Sequence, residues 1–436
     1  MRLETIRFQN FRCFEDKQFE FAERFNLLVG DNATGKTSVL HGASIALGSL
    51  FLGFPEPAEP SSLDVDVALH RTFWNNGKAN IQPQYPILID AEGELDGERV
   101  AWERQIKRAG GRTTRAFSGR LKQRAKELAE KVNANAPSIL PLLGYYGTGR
   151  IWKHKYLTEV NTATPGSRFL GYLNCLDPAS DEKRLLEWFK TRELVALQKR
   201  RTLPELVAVR HAIATCIGDV EEVYWDLEAD QLAIRQQQQI LWFRQLSDGY
   251  RNVLGMVADM AERCVTLNPQ LGGSAVQGTP GVVLIDELDL HLHPKWQRHI
   301  VADLLRTFPQ IQFLATTHSP FIIQSLPPRE DVRLINLDNP AANDFADKSV
   351  EDITEEVQGI ESPSRSQRYH DMMRAAEDYY RALKSADSPS GQELQQLKDR
   401  LDELASRFSD DPAYHAILKV EREARLGQNG VNDAPR

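Results

Sequence analysis

The stretch that decides the fold of this chain is GDNATGKT, residues 30–37. It fits the pattern G-x-x-x-x-G-K-[ST] in full, with an apolar strand pattern before it and a helix pattern over 37–47 after it. Glycines let backbone N–H groups close around a phosphate, and the start of the helix adds partial positive charge. Lys36 is then expected to reach the β- and γ-phosphate oxygens, and the Thr37 hydroxyl to bind Mg²⁺. The stretch predicts a nucleotide-binding P-loop whose contact residues are Gly30, Asn32, Gly35, Lys36, Thr37 and Ser38.

A second element, GVVLIDE at residues 281–287, fits the same chemistry. Four apolar residues carry Asp286 to the carboxyl end of a buried strand, where open α/β sheets bind ligands. We predict that Asp286 holds Mg²⁺ and that Glu287 is the general base for an attacking water. The alternative is that these acids belong to an ordinary acidic loop after a parallel strand. The complete P-loop upstream disfavours this alternative.

Composition places the chain among ordinary globular proteins. Of its 436 residues, 41% are hydrophobic and 26% charged, and the formal net charge is −8. One core supports roughly 250–300 residues, so several domains or one large head with insertions are expected. Four cysteines without CxxC spacing argue against a zinc or disulfide framework and favour a cytoplasmic location. No apolar run approaches the roughly 20 residues of a membrane-spanning helix, so we predict no membrane contact.

Apolar periodicity predicts an α/β fold with helical additions. Strands are predicted at residues 19–29, 139–144, 220–227, 240–243, 282–285, 311–316 and 332–337. Runs at 85–90 and 100–106, with an Asp-Gly pair between them, predict a hairpin. Helices are predicted over 180–217 with a break at Pro204, and a flexible loop over 268–281. Seams of Met, Tyr and Leu over 372–408 predict a helical hairpin, with a surface that docks a partner as the alternative.

Five stretches beside the P-loop carry a family resemblance. They are NFR at 10–12, YYGTGRIW at 145–152, LSDGYRN at 246–252, DELDLHLHPKW at 286–296 and TTHSP at 316–320. The series resembles the head domain of ABC-type ATPases related to RecF and the SMC proteins. More closely, it is similar to the prokaryotic family of predicted ATP-binding proteins involved in virulence. That family includes the ATPase subunit of Septu-type antiphage systems and of retrons.

The resemblance implies roles for three further residues. Ser247 and the backbone of Gly249 would contact the γ-phosphate held by the opposite subunit, and His318 would sense that phosphate. Lys36, Glu287 and His318 would be the catalytic residues. By themselves, LSDG also fits a plain helix cap and His318 a buried core histidine. The YYGTGR segment takes the place of the Q-loop, although it contains no glutamine.

The resemblance also implies an architecture. It is a P-loop NTPase of ABC type with an antiparallel β subdomain, a helical insertion and a C-terminal helical region. The predicted parts are a first head lobe at 1–103, a basic, mostly helical insertion with return strands at 104–240, a second lobe at 241–337, and a tail at 338–436.

The implied function is Mg²⁺-dependent ATP hydrolysis by a homodimer or higher dimer-based oligomer that controls a separate HNH-type nuclease in antiphage defence. An alternative is a nucleic-acid-sensing or scaffolding protein in which ATP gates the shape with little turnover. The ATPase of a membrane transporter is a third interpretation, disfavoured because Asp248 replaces a glycine of the transporter signature.

Residues 104–131 are the most basic part of the chain, with ten Lys or Arg against two Glu. One interpretation is a track for the phosphate backbone of DNA or RNA. The others are a solvated helix face or a surface for an acidic partner, because no aromatic residues alternate with the charges.

Overall fold

The computed structural model describes residues 1–55, 63, 65–75, 78–111, 113–114, 118–151, 166–179, 182–339, 348–360, 366–384 and 391–405. The strands within them are β1 (Arg2–Phe11), β2 (Phe14–Glu20), β3 (Phe25–Val29), β4 (His70–Asn75), β5 (Lys78–Pro83), β6 (Ile87–Leu95), β7 (Glu98–Ile106), β8 (Leu142–Tyr146), β9 (Glu222–Asp226), β10 (Gln231–Gln236), β11 (Gln239–Trp242), β12 (Gly281–Ile285), β13 (Ile311–Thr316) and β14 (Val332–Asn336). The helices are α1 (Lys36–Leu47), α2 (Gly119–Asn133), α3 (Glu182–Lys199), α4 (Pro204–Cys216), α5 (Asp248–Leu267), α6 (Ala275–Gly278), α7 (Pro294–Gln297), α8 (Ile300–Thr307), α9 (Pro320–Gln324), α10 (Val350–Asp352), α11 (Gln367–Lys384) and α12 (Gly391–Ala405). Residues 1–359 form one compact unit and residues 360–436 a second.

A five-stranded parallel sheet in the order β14-β3-β13-β12-β8 positions the predicted site in the first unit. Every residue of β3, β12 and β13 is buried, as expected for parallel strands covered on both faces. Because the strands are parallel, the segments that follow β3, β12, β13 and β14 leave the sheet at one edge. The predicted α/β fold is confirmed.

A four-stranded antiparallel sheet, β2-β1-β6-β7, is the predicted β subdomain. The hairpin prediction is confirmed, since Leu95 pairs with Glu98 across a turn in which Asp96 and Gly97 have φ of 53° and 79°. Helix α1 contacts this sheet, where Trp102 Nε1 donates a 2.8 Å hydrogen bond to the carbonyl of Ala46. The same helix also contacts β12 and β13 of the parallel sheet. The P-loop helix is therefore held by both sheets.

Several boundaries differ from the sequence prediction. The single strand expected over 19–29 is wrong, because β2 and β3 belong to different sheets. The strand expected at 139–144 begins later, at Leu142. The loop expected over 268–281 is also wrong: residues 269–274 form a 3-10 helix and α6 follows, with Ala275 and Val276 buried. The break between α3 and α4 at Pro204 is confirmed.

Strand β10 and the pair β4 and β5 have no counterpart in the sequence prediction. Strand β10 lies between β9 and β11 in a small antiparallel sheet, and β4 pairs with β5 in a separate hairpin. The Asn-Gly pair at 76–77 is the sequence signal that could have found this hairpin.

The second unit contains α11 and α12, which pack against each other. Their shared core consists of Met372, Ala375, Ala376, Tyr379, Tyr380 and Leu401. This confirms the helical hairpin predicted from the Met, Tyr and Leu seams. The four-part division of the chain stays a prediction.

Candidate nucleotide site

The P-loop connects β3 to α1 and has the backbone that its glycines allow. Gly30 and Gly35 have φ of 147° and 105°, values that side-chain-bearing residues rarely adopt. Lys36 is 8% exposed, and its Nζ donates hydrogen bonds of 2.7 Å to the carbonyls of Gly30 and Asp31. Burial lowers the pKa of Lys36, and the carboxylates of Asp338 and Asp286 oppose that shift. The ammonium therefore lies inside the loop, next to the space where the P-loop pattern places phosphate.

Asp286 follows β12 and meets the P-loop helix. The Thr37 hydroxyl donates to its carboxylate, with Oγ1 at 2.9 Å from Oδ2, although the two residues are 249 positions apart. The Thr316 hydroxyl donates to Oδ1 at 2.6 Å, and the Asp286 N–H donates to the Tyr146 carbonyl at 2.8 Å. Asp286 is 3% exposed. The structure thus brings together the two predicted Mg²⁺ ligands, a hydroxyl and a carboxylate oxygen of the type that this ion prefers.

Glu287, the predicted general base, has a constrained backbone. Its φ is 49°, in the left-handed region that residues other than glycine seldom occupy. Its N–H donates to Thr316 Oγ1 at 2.7 Å. Strained backbone of this kind is concentrated at functional sites.

The signature segment begins α5. Ser247 caps this helix, because its Oγ accepts a 3.4 Å hydrogen bond from the Tyr250 N–H. A Cβ added at Gly249 would lie 2.0 Å from the carbonyl oxygen of His291, so only glycine fits the observed approach. Asn252 also donates to the Leu290 carbonyl, at 3.3 Å. The start of α5 is therefore packed against the loop that follows Asp286 and Glu287.

His318 lies beyond the end of β13 and is exposed. The interpretation of this residue as a buried core histidine is therefore wrong. Its backbone N–H donates to Asp289 Oδ1 at 3.4 Å, and the Thr317 hydroxyl donates to the same oxygen at 2.6 Å. Sequence reasoning missed Asp289, which ties the loop after Glu287 to the histidine segment.

The Q-loop candidate follows β8, whose last residue is Tyr146. The Tyr146 hydroxyl donates to Asp259 Oδ2 at 2.8 Å, and Arg184 and Arg263 form ion pairs with the same carboxylate at 2.9 and 2.8 Å. Burial alone would raise the pKa of Asp259, but the two guanidiniums lower it to about 2. The strand beside β12 is thus joined to the signature helix by a charged, buried network. Residue 152 of the family stretch lies outside the described residues.

Comparison with known proteins agrees with this geometry. A family model described as "AAA domain" matches residues 5–221, and one described as "AAA domain, putative AbiEii toxin, Type IV TA system" matches residues 217–324. The chain is 37% identical over 164 residues to "Retron Vc95 probable ATPase" of Vibrio cholerae serotype O1 biovar El Tor, covering 36% of this chain and 31% of that protein. It is 33% identical over 139 residues to "Septu protein PtuA" of Bacillus thuringiensis, covering 30% of this chain and 35% of that protein. The match thus spans about a third of each of these relatives.

Between them, the two AAA-domain models match residues 5–324, a range that contains the P-loop, Asp286 and His318. The relatives in retron and Septu systems confirm the resemblance that the motifs indicated. Among solved structures, an SMC head bound to the C-terminal winged-helix domain of ScpA is similar over 77% of this chain and 94% of its own, with a TM-score of 0.44 and 14% identity. The SMC head domain from Thermotoga maritima gives a TM-score of 0.40 and 15% identity over the same shares.

The P-loop is also contacted by a carboxylate that sequence reasoning missed. Asp338 follows β14, the neighbour of β3, and its Oδ2 accepts a 2.5 Å hydrogen bond from the Asp31 N–H. A Cβ at Gly30 would lie 2.9 Å from the same oxygen. An acid close behind a strand of the parallel sheet is the signal that identified Asp286, and Asp338 also follows such a strand, two residues after its end.

The basic segment at residues 104–131 is less continuous than the sequence indicates. Arg104 is 2% exposed, with its guanidinium 3.4 Å from the Ser49 hydroxyl. Three other cations pair with acids of the same chain, in the pairs Arg124–Glu98, Lys126–Glu130 and Lys131–Asp96. Arg112 and Arg115 lie outside the described residues. The remaining cations, Lys107, Arg108, Arg120 and Lys122, are exposed.

None of the helices in the described part of the chain combines the length and the apolar character needed to cross a membrane.

Proposed function

We propose that this protein is an ABC-type ATPase that hydrolyses ATP with Mg²⁺ as cofactor and that two copies close around the nucleotide. The observation that carries the proposal is the 2.9 Å contact between the Thr37 hydroxyl and the Asp286 carboxylate, with Glu287 next along the chain. The donor set fits Mg²⁺, since both groups offer hard oxygen ligands at the mouth of a P-loop.

Each residue has a defined part in the proposed reaction. Lys36 leaves the P-loop carbonyls that it now contacts and binds phosphate oxygens, aided by the N–H groups at the start of α1. Thr37 and Asp286 would hold the Mg²⁺ ion, which would neutralise phosphate charge. Glu287 accepts a proton from the attacking water. His318, exposed at the same sheet edge, contacts the γ-phosphate.

The dimer part of the proposal rests on the start of α5. An exposed helix N-terminus is an anion-binding site, and here Ser247 and the backbone of Gly249 form it. We propose that this end contacts the γ-phosphate of ATP held by the P-loop of a second copy. Each copy then supplies half of the site, and turnover per chain should rise with protein concentration.

Glu287→Gln tests the assignment. The variant should bind ATP, lose at least about 100-fold in turnover because the base is lost, and accumulate as an ATP-dependent dimer in sedimentation analysis. Glu228→Gln, an exposed acid in a turn, is the matched control and should behave like the wild type. Normal turnover in Glu287→Gln would remove the general base from the proposal.

We further propose that the ATPase controls a separate nuclease of HNH type in antiphage defence. The support is the similarity to proteins named retron ATPase and Septu protein PtuA. A small HNH-type protein encoded beside this chain should co-elute with it. If ATP turnover leaves the activity of that co-eluting nuclease unchanged, the control role is wrong.

The alternative, a protein that senses nucleic acid and uses ATP as a gate, makes an opposite prediction. It requires ATP binding with negligible turnover, with or without DNA. The four exposed cations Lys107, Arg108, Arg120 and Lys122 would be its contact surface. Changing all four to Glu should abolish DNA binding in that case, and unchanged binding would exclude this surface.

A further inference from the structure

We propose that Thr316 is a positioning residue for hydrolysis, whose hydroxyl fixes both the Mg²⁺-binding carboxylate and the general base. This inference deepens the proposed function and rests on it. Thr316 is the last residue of β13 and is 1% exposed. It stands in the histidine stretch 316–320, but the sequence analysis assigns it no role.

One hydroxyl makes two hydrogen bonds to two consecutive residues. Thr316 Oγ1 donates to Asp286 Oδ1 at 2.6 Å and accepts the N–H of Glu287 at 2.7 Å. A hydroxyl is the smallest side-chain group that can donate and accept at the same time. It therefore sets the direction of the Asp286 carboxylate and of the peptide that carries Glu287 together.

The need for such a group follows from the backbone at Glu287. With φ at 49°, this residue is held in a conformation that costs free energy unless its surroundings enforce it. The hydrogen bond from the Glu287 N–H to Thr316 supplies such a constraint. Without it, the peptide can relax and the carboxylate of Glu287 can move away from the position that water activation requires.

The hydroxyl of Thr37 cannot replace that of Thr316. Thr37 also donates to Asp286, but in the proposed function its oxygen turns to the Mg²⁺ ion. Thr316 donates to the other carboxylate oxygen, Oδ1, and would keep that bond. Groups of this kind, which orient a metal ligand from behind, typically change affinity or activity by about 10–100-fold when removed.

The variant pair Thr316→Val and Thr316→Ser separates positioning from packing. Valine keeps the shape and loses the hydroxyl, whereas serine keeps the hydroxyl. The backbone is retained in both, because the Leu288 N–H donates to the Thr316 carbonyl at 2.8 Å. The matched control is Thr307→Val, another buried threonine, whose hydroxyl bonds to the Asp303 carbonyl in α8.

Steady-state ATPase kinetics are measured with Mg²⁺ titrated at saturating ATP. Thr316→Val should lower kcat by about 10–100-fold, change KM less than about threefold, and raise the Mg²⁺ concentration for half-maximal rate. Thr316→Ser should stay within about threefold of the wild type, and Thr307→Val should keep the wild-type kcat and Mg²⁺ response. If Thr316→Val does not fold, Thr316→Ala carries the same prediction.

A Thr316→Val enzyme with the kcat of Thr307→Val would overturn the inference while leaving the proposed function intact. If Thr316→Ser, which keeps the hydroxyl, also shows a raised KM and a lowered kcat, then Thr316 acts through packing. That result would overturn the inference too. A wild-type chain without ATP turnover would instead overturn the proposed function, and the inference with it.

Discussion

The strongest steric demand in the site is at Gly249, and Gly249→Ala tests it. The added Cβ would lie 2.0 Å from the His291 carbonyl oxygen, and the nearby atoms are backbone, which cannot rotate away. An ordinary contact needs at least about 3.4 Å, so the start of α5 and the loop after Glu287 must separate by more than an ångström. A shift of about 1 Å in a catalytic element can cost on the order of 100-fold in rate.

The expected result for Gly249→Ala is therefore selective. Turnover should fall by about 100-fold, while binding of a fluorescent ATP analogue stays within a few-fold, because the P-loop lies on α1 rather than on α5. Circular dichroism should show an intact fold. The ATP-dependent dimer in the Glu287→Gln background should also weaken, since the displaced helix end is the proposed contact to the second copy.

Gly255→Ala is the matched control on the same helix. A Cβ at this position meets nothing within 4 Å among the described atoms. Alanine should instead raise stability by about 0.5–1 kcal/mol through helix propensity, with unchanged turnover. Equal ATPase rates for Gly249→Ala and Gly255→Ala would refute the argument that close approach of α5 to this loop is needed for activity.

Two other outcomes can be measured on the same protein. Cys13 is exposed, with its Sγ 3.9 Å from the P-loop carbonyl of Thr34. A maleimide should therefore label Cys13 rapidly, and Mg²⁺–ATP should slow the labelling. Equal labelling rates with and without Mg²⁺–ATP, measured by mass spectrometry, would contradict this prediction. Burial raises the thiol pKa of three other cysteines, Cys175, Cys216 and Cys264, to about 12. These thiols should react with the maleimide only after the protein unfolds. Asp338→Asn keeps an acceptor for the Asp31 N–H but removes a negative charge beside the P-loop, so ATP should bind about fivefold more tightly at low salt, an effect of about 1 kcal/mol. ATP affinity is measured by calorimetry, with Asp378→Asn in α11 as the control. An unchanged ATP affinity in Asp338→Asn would mean that the charge of Asp338 does not weaken nucleotide binding.

Local signals in the chain predicted much of the fold. The P-loop was found because its glycines and the lysine have to follow one another at fixed spacing between a strand and a helix. The strands before Asp286 and His318 were found because continuous apolar runs mark strands buried on both faces. The turn at Asp96 and Gly97 was found because both positions need positive φ, which Asp-Gly supplies.

Errors arose where the deciding contact is distant in sequence. The run over 19–29 is apolar enough for one strand, but pairing with β1 and with β13 divides it between two sheets. The glycines and prolines over 268–281 suggest a loop, yet Asn268 bonds to the Leu140 backbone and fixes the segment. The sequence placed Arg104 in a basic surface, but the structure buries this side chain beside Ser49.

The sequence by itself predicted which residues would bind phosphate, Mg²⁺ and water, because each motif is a short run with its own local geometry. Only the tertiary structure decided how those runs act on one another. It places Thr37 against Asp286, Thr316 between Asp286 and Glu287, and Asp338 against the P-loop. The physical reason is that parallel strands far apart in the chain end at one sheet edge, and hydrogen bonds between their ends leave no periodic trace in the sequence.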